Sequence, residues 1–167
     1  MAAKRKYPDQ PVVGVGGVVI SDGRALLIRR GSEPLRGEWS IPGGTLEVGE
    51  TLVEGIQREL REETGLEVKA LELIEVFERI FPDPDSQTDA QGRPARPQYH
   101  FVIVDYLCEA AGGTPRPGSD VTDIAFVAED ELSRYNLTPT ATRVLRKAFA
   151  MARARAAGAS SAAHERG

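Results

Sequence analysis

The chain predicts a mixed β-sheet sandwiched between helices, of the α/β (α+β) class. Three observations predict it. Several β-branched runs alternate apolar and polar residues with period two, as half-buried strands do. Two amphipathic segments, one mid-chain and one near the end, carry helical spacing and helix-stop or helix-start signals. The strands are joined both by hairpin-like turns and by longer crossover-like connections, so the sheet is mixed.

The elements follow in order. "VVGVGGVVI" (Val12–Ile20) is β-branched and glycine-rich, a strand with close backbone approach on one side. "SDG" turns it, and "RALLIRR" (Arg24–Arg30) returns as a hairpin partner. "GSEPLRGEWS" is loop, and "IPGGTLEVGE" is short extended structure broken by glycines. Thr51 caps the next helix, with Glu54 completing a capping box, and Gly65 ends it in the left-handed conformation. Leu66–Phe81 alternates as a long or bent strand, and Pro82–Pro97 is a polar loop longer than a plain connection requires. "YHFVIVDYLCEA" is a strong central strand, "AGGTPRPGSD" a turn, "DIAFVA" a further strand and "EDELSRY" a short helical piece. "LTPTATRVLRKAFAMARARA" is a helix with Leu145, Phe149 and Ala152 on its apolar face. The domain is expected over 11–154, with tails at 1–10 and 155–167, the second disordered.

Composition narrows the function. The 167 residues suit one domain. A 41% hydrophobic and 28% charged content is globular, and the net charge of −4 offers no basic field for a nucleic-acid polymer or an anionic membrane. An anionic ligand therefore needs a local device such as a metal. The lone Cys108 forms no internal disulfide, so a reducing cytoplasm is expected. "MAAKRKYPDQ" leads into no apolar h-region, so no signal peptide is expected. No run approaches the roughly 20 apolar residues of a membrane span.

The chemistry gathers in "RELREETGLEV" (Arg58–Val68). Helical spacing puts Glu59, Glu62 and Glu63 on one face, where like charges repel. A solvated acidic face is the ordinary reading of such a run. Here the apolar stripe of Val53, Ile56 and Leu60 fixes the helix against a core, and Gly55 leaves room beside Glu59. Carboxylates gathered in this way suit Mg2+ or Mn2+, which take hard oxygen ligands. The glycines of "PGG" (Pro42–Gly44) add backbone able to approach a cation or a phosphate.

The run "GGTLEVGETLVEGIQRELREETGLEV" resembles the Nudix box, with Gly44, Glu50, Arg58, Glu59, Leu60, Glu62, Glu63, Gly65 and Leu66 at its defined positions. The resemblance extends from about Val12 to Phe149 and implies the Nudix fold. It implies metal-dependent hydrolysis of a nucleoside diphosphate linked to another group. It assigns the metal, Mg2+ with Mn2+ as an alternative, to Glu59, Glu62, Glu63 and the carbonyl of Gly43. Glu59 or Glu62 would be the base toward water, and Glu50 would pair with Arg58.

For the substrate, Gly44, Arg29 with its neighbour Arg30, and Trp39 as a stacking platform are candidates. The fourth acidic group matches Asp120 best, with Asp123 second. Each has an ordinary reading: a turn aspartate, a strand-end charge, a core tryptophan. His100 reads as a satisfied sheet histidine.

The segments "RGEWSIPGGTLEVGET", "YHFVIVDYLCE" and "LTPTATRVLRKA" resemble bacterial ADP-ribose pyrophosphatase-like members, implying cleavage of ADP-ribose to AMP and ribose 5-phosphate. The alternatives are a pyrophosphohydrolase that sanitises oxidised dNTPs such as 8-oxo-dGTP, and a non-catalytic nucleotide-sensing domain. The expected partner is a small nucleotide, with no nucleic-acid polymer or membrane, and a homodimer as an option.

Overall fold

The computed structural model describes residues 5–93, 96–118 and 120–164. Seven strands, two α-helices and one 3-10 helix are found among them. The strands are β1 (Val12–Ser21), β2 (Arg24–Arg30), β3 (Trp39–Ser40), β4 (Gly43–Thr45), β5 (Leu66–Pro82), β6 (Pro97–Gly113) and β7 (Val121–Ala128). The helices are α1 (Leu52–Thr64) and α2 (Pro139–His164), with the 3-10 turn at Glu129–Tyr135.

The sheet is mixed, as expected. β1 runs parallel to β6, antiparallel to β4 at its start and antiparallel to β2 at its end. β5 and β6 form a long antiparallel pair, interrupted by register shifts at Glu67/Val68, Ala70/Glu72 and Leu73/Glu75. Such bulges bend a strand and raise its twist, which is how 17 residues wrap the body without a break.

Period two on β1 splits the core. Val15 and Val19 pack with Ile56 and Leu60 of α1, while Val18 packs with Val144, Leu145, Ala148 and Phe149 of α2. The sheet is therefore covered on both faces. α1 starts and stops where its sequence dictates. Thr51 Oγ1 accepts from the Glu54 N–H at 3.2 Å, and Glu54 Oε2 accepts from the Thr51 N–H at 2.8 Å. Gly65, at φ 72°, closes the other end.

Two expectations are corrected. α2 runs through 155–164, which were expected to be disordered, while residues 165–167 lie outside the described residues. The extension is rich in alanine, the best helix former, and Arg153 and Arg155 reach Glu129 and Glu72 at 2.5 and 3.5 Å. Within residues 5–10, the Tyr7 N–H donates to Gln98 O at 2.8 Å. On α1, Val53 is 39% exposed, and Leu52 joins the core in its place. Among the described residues no helix is long and apolar enough to cross a membrane.

Candidate active site

Four adjacent strands, β4-β1-β6-β5, carry the floor of a cleft of about 360 Å³. At one end β4 brings Gly43 and Gly44 against Glu59, Glu62 and Glu63 of α1. At the other, β5 and β6 bring Phe77, Phe81 and Phe101. Three strand spacings separate β4 from β5, roughly 14 Å. That is the scale of an extended nucleoside diphosphate.

The carboxylate end is held by Arg58. Its guanidinium grips Glu50 bidentately, Nε to Oε1 at 2.5 Å and Nη2 to Oε2 at 2.9 Å. Nη2 also donates to Thr45 O at 3.0 Å, and Nη1 to Glu59 Oε1 at 2.8 Å. One side chain thus joins the loop before α1, β4 and the carboxylate cluster. The hydrogen bonds from Arg58, followed by the Glu47 N–H, hold Glu50 down at about 2. Glu50 in turn raises Arg58.

The cluster itself is under strain of charge. Glu63 is pushed up to about 8, above all by burial and then by Glu59 and Asp120, against the pull of the Gly43 N–H and Arg30. Glu59 is also raised, chiefly by burial. The room for Glu59 comes from Gly44, where a Cβ would collide with the Glu59 carboxylate. Gly55 does not supply that room as expected, because Leu46 fills the space beside it.

Among the described residues no three carboxylate, imidazole or thiol groups close on one point. Glu63 is turned to the Gly43 N–H, and Arg58 holds Glu59 and Glu62. The donor set nonetheless fits a hard divalent cation. It is all oxygen and partly buried, and two of its carboxylates, Glu59 and Glu63, are raised above the ordinary value, chiefly by burial.

The remaining candidates divide. Asp120 lines the cleft and accepts from Ser32 Oγ at 3.2 Å. Asp123 lies outside the cleft lining, on β7 opposite Arg29. Arg29 is also outside it, donating to Gly37 O at 3.0 Å, and Arg30 lines the cleft in its place. Trp39 does not line the cleft. It stands edge-on to Tyr135, ring centroids 5.1 Å apart, against the α2-side core. The aromatic wall comes from Phe77, Phe81 and Phe101 instead. Their signal was the period-two aromatics of β5 and β6. Two further side chains had no signal of their own: Arg79, whose guanidinium lies over Phe81 at 5.0 Å, and the buried Asp105. His100 is also outside the lining, and Cys108 is buried with its thiol pushed up to about 12, so it is inert.

The chain is similar to known proteins. An ADP-ribose pyrophosphatase of Methanocaldococcus jannaschii is 34% identical over 116 residues, 70% of this chain and 61% of that protein. The chain thus spans about three-fifths of that relative. The nucleoside triphosphatase NudI of Escherichia coli K12 is 32% identical over 134 residues, 77% of this chain and 90% of its own. A MutT NUDIX hydrolase of Burkholderia pseudomallei, solved by crystallography, superposes with a TM-score of 0.67 at 30% identity, covering 83% of this chain and 98% of that one. Residues 10–148 match the NUDIX domain, which includes every carboxylate of the cluster, so the chain belongs to the NUDIX domain family.

Proposed function

We propose that the protein hydrolyses a nucleoside diphosphate linked to another group, and that its substrate is ADP-ribose, cleaved to AMP and ribose 5-phosphate. The observation that carries this reading is the two-ended cleft, with α1 carboxylates at β4 and an aromatic wall on β5 and β6. The relative named ADP-ribose pyrophosphatase supports the choice of substrate. The family generally uses divalent metal ions, and Mg2+, with Mn2+ as an alternative, is the cofactor proposed here.

Glu59, Glu62, Glu63 and the Gly43 carbonyl would hold the metal. When bound, it neutralises pyrophosphate charge and lowers the pKa of coordinated water. The chain's own residues do the rest. Glu59 or Glu62 accepts the proton of the attacking water. Arg30, on the β2 side of the cleft, places a cation against the phosphates. The Gly43–Gly44 backbone lets the diphosphate lie close to β4. Arg58 keeps Glu59 and the loop before α1 in register. The reducing cytoplasm expected from Cys108 belongs to the same reading.

The second reading, a triphosphate substrate, is favoured by the likeness to NudI. Competition decides between them. With equal ADP-ribose and 8-oxo-dGTP, kcat/KM should favour ADP-ribose. A preference for the triphosphate above about tenfold, some 1.4 kcal/mol of transition-state binding, reverses the choice. Binding of either ligand with no turnover under any divalent metal would leave a nucleotide sensor.

A further inference from the structure

The cleft holds a titratable group for which the hydrolysis above has no task. Asp105 lies mid-way along β6, only 3% exposed. It pairs in register with Gly16 of β1 and Glu75 of β5. Among the described residues no hydrogen bond or ion pair reaches its carboxyl, and the charge that bears on it is the like-signed Glu75. Glu75 itself is engaged by Arg143 at 2.6 Å. The residue is largely desolvated and its oxygens open only on the cleft, so an apolar residue here would be cheaper for the fold.

Its surroundings say what it faces. A Cβ at Gly16 would collide with Asp105 Oδ1, so the glycine is what lets the carboxyl lie over β1. Both residues line the cleft. Ile103 and Phe101 follow on the same face of β6, and Phe77 pairs with Ile103 from β5. Asp105 is therefore an unspent hydrogen-bonding group at the foot of an apolar, aromatic wall. Its backbone stands one strand beyond β1, and its carboxyl leans back over Gly16, the residue that pairs with Gly43 on the other side, so it sits between the wall and the β4 end.

We propose that Asp105 selects the nucleobase, its carboxyl accepting hydrogen bonds from the amino group of a purine seated against Phe77, Phe101 and Ile103. A purine matches both halves of this surface. Its faces are apolar and stack on phenylalanine, while its edge carries N–H donors. The inference rests on the reading that the cleft holds a nucleoside diphosphate with its phosphates at the β4 end. A site with a buried acceptor rejects a ligand that lacks the matching donor, because the acceptor is then left unpaired.

The test compares ADP-ribose with the analogue whose adenine is replaced by unsubstituted purine, which lacks only the amino group. The parent should favour ADP-ribose by about tenfold or more in kcat/KM, mostly through KM. Asp105→Leu should erase that preference to within about threefold, and Asp105→Ala should do the same should the leucine not pack. Asp105→Asn, which keeps an acceptor oxygen, should retain it. A preference unchanged in both apolar variants, or an equal loss on both substrates, overturns the proposal. The second outcome would assign Asp105 to the ribose or to the fold.

Should another nucleotide prove to be the substrate, the same comparison with its own amino and deamino bases reads the subsite, so the two proposals fail separately. Should nothing turn over, the melting shift with ADP against purine riboside diphosphate reads the same contact by binding alone. The parent should then be stabilised more by ADP, and Asp105→Leu equally by both. An ADP preference of the same size in parent and Asp105→Leu, or none in the parent, overturns the proposal.

Discussion

Glu63 Oε2 accepts a hydrogen bond from the backbone N–H of Gly43 at 2.8 Å, tying the end of α1 to β4. The same carboxyl is pushed up to about 8, mainly by burial. A cation held there, as proposed above, would compete with the proton for one group.

The first prediction concerns pH without metal. Glu63 moves from an ordinary carboxylate value to about 8 on folding, and Asp105 to about 7. Both folded pKa values are raised, so the native state binds more protons than the unfolded chain. The resulting stability is fully present below the ordinary carboxylate range and is lost as pH rises through about 7 to 8. Chelator-treated protein should melt at falling temperature across that window. Mg2+ should flatten the fall, and Glu63→Gln should remove part of it. A metal-free melting temperature that rises with pH over the same range contradicts the assignment.

The second prediction removes charge and keeps shape. Glu59→Gln and Glu63→Gln should fold, since the amide oxygen of the second still accepts from Gly43. Each should lower kcat by about a hundredfold or more, the scale of a lost metal ligand or base. Without metal, Glu63→Gln should melt at or above the parent once pH exceeds about 8, where the Glu63 charge would otherwise face Glu59. Parent-like turnover in either would remove these residues from the chemistry.

These carboxylates were legible in the sequence because helical spacing is fixed by geometry, and both caps of α1 mark its register. The two-sided core follows from period two in the same way, but the strand order does not, because no local pattern shows that β1 lies parallel to β6. What escaped was the direction of single side chains where strands bend. Arg29 and Arg30 sit at a register shift between β2 and β7, and no local pattern tells which of them meets the cleft. Trp39 reads equally as a core tryptophan or a stacking platform, and only Tyr135, nearly a hundred residues on, fixes its place in the core. Asp105 looked like one polar residue in an apolar strand. Only the pairing of β6 with β1 puts it over Gly16.

The third prediction tests the space beside Glu59. Gly44→Ala places a Cβ against the Glu59 carboxylate, which must move. A displacement near 1 Å at the reacting centre costs up to about a hundredfold in rate. Gly44→Ala should therefore lower kcat well over tenfold while shifting the melting temperature by only a few degrees. Gly55→Ala, where the neighbour is the Leu46 side chain, should show the converse. Equal effects in both variants would mean that Gly44 serves the fold alone.

The fourth prediction is that Arg58→Lys is not conservative. The guanidinium meets Glu50, Thr45 O and Glu59 at once, and it is 20% exposed. An ammonium is a single point charge and cannot span all three. Loss of these charge-assisted bonds should destabilise the protein by about 2 kcal/mol. kcat should fall as well, because Glu59 is released. Urea unfolding of parent and variant, with slopes compared, checks the first part, and steady-state kinetics the second. A lysine variant matching the parent in both would reduce Arg58 to a surface charge.

The last prediction separates two neighbouring arginines. Arg30 lines the cleft, donates to Pro34 O at 2.7 Å, and lies within the electrostatic reach of Glu63 and Asp120. Its pKa is lowered by burial, with those two carboxylates pulling the other way. Held at Nε by a carbonyl, the guanidinium makes no further hydrogen bond among the described residues, which leaves its two terminal amino groups for an anion. Arg29 spends its Nε on Gly37 O and stands in solvent, outside the cleft. Arg30→Ala should therefore raise KM for a nucleoside diphosphate at least tenfold, about 1.4 kcal/mol of lost ground-state binding. Arg29→Ala should stay within about threefold, as exposed charges contribute little. The effect of Arg30→Ala should also shrink at high salt, where screening weakens any cation–phosphate attraction in the parent. A larger KM change from Arg29→Ala than from Arg30→Ala would mean that the strand end turns the other way when substrate binds.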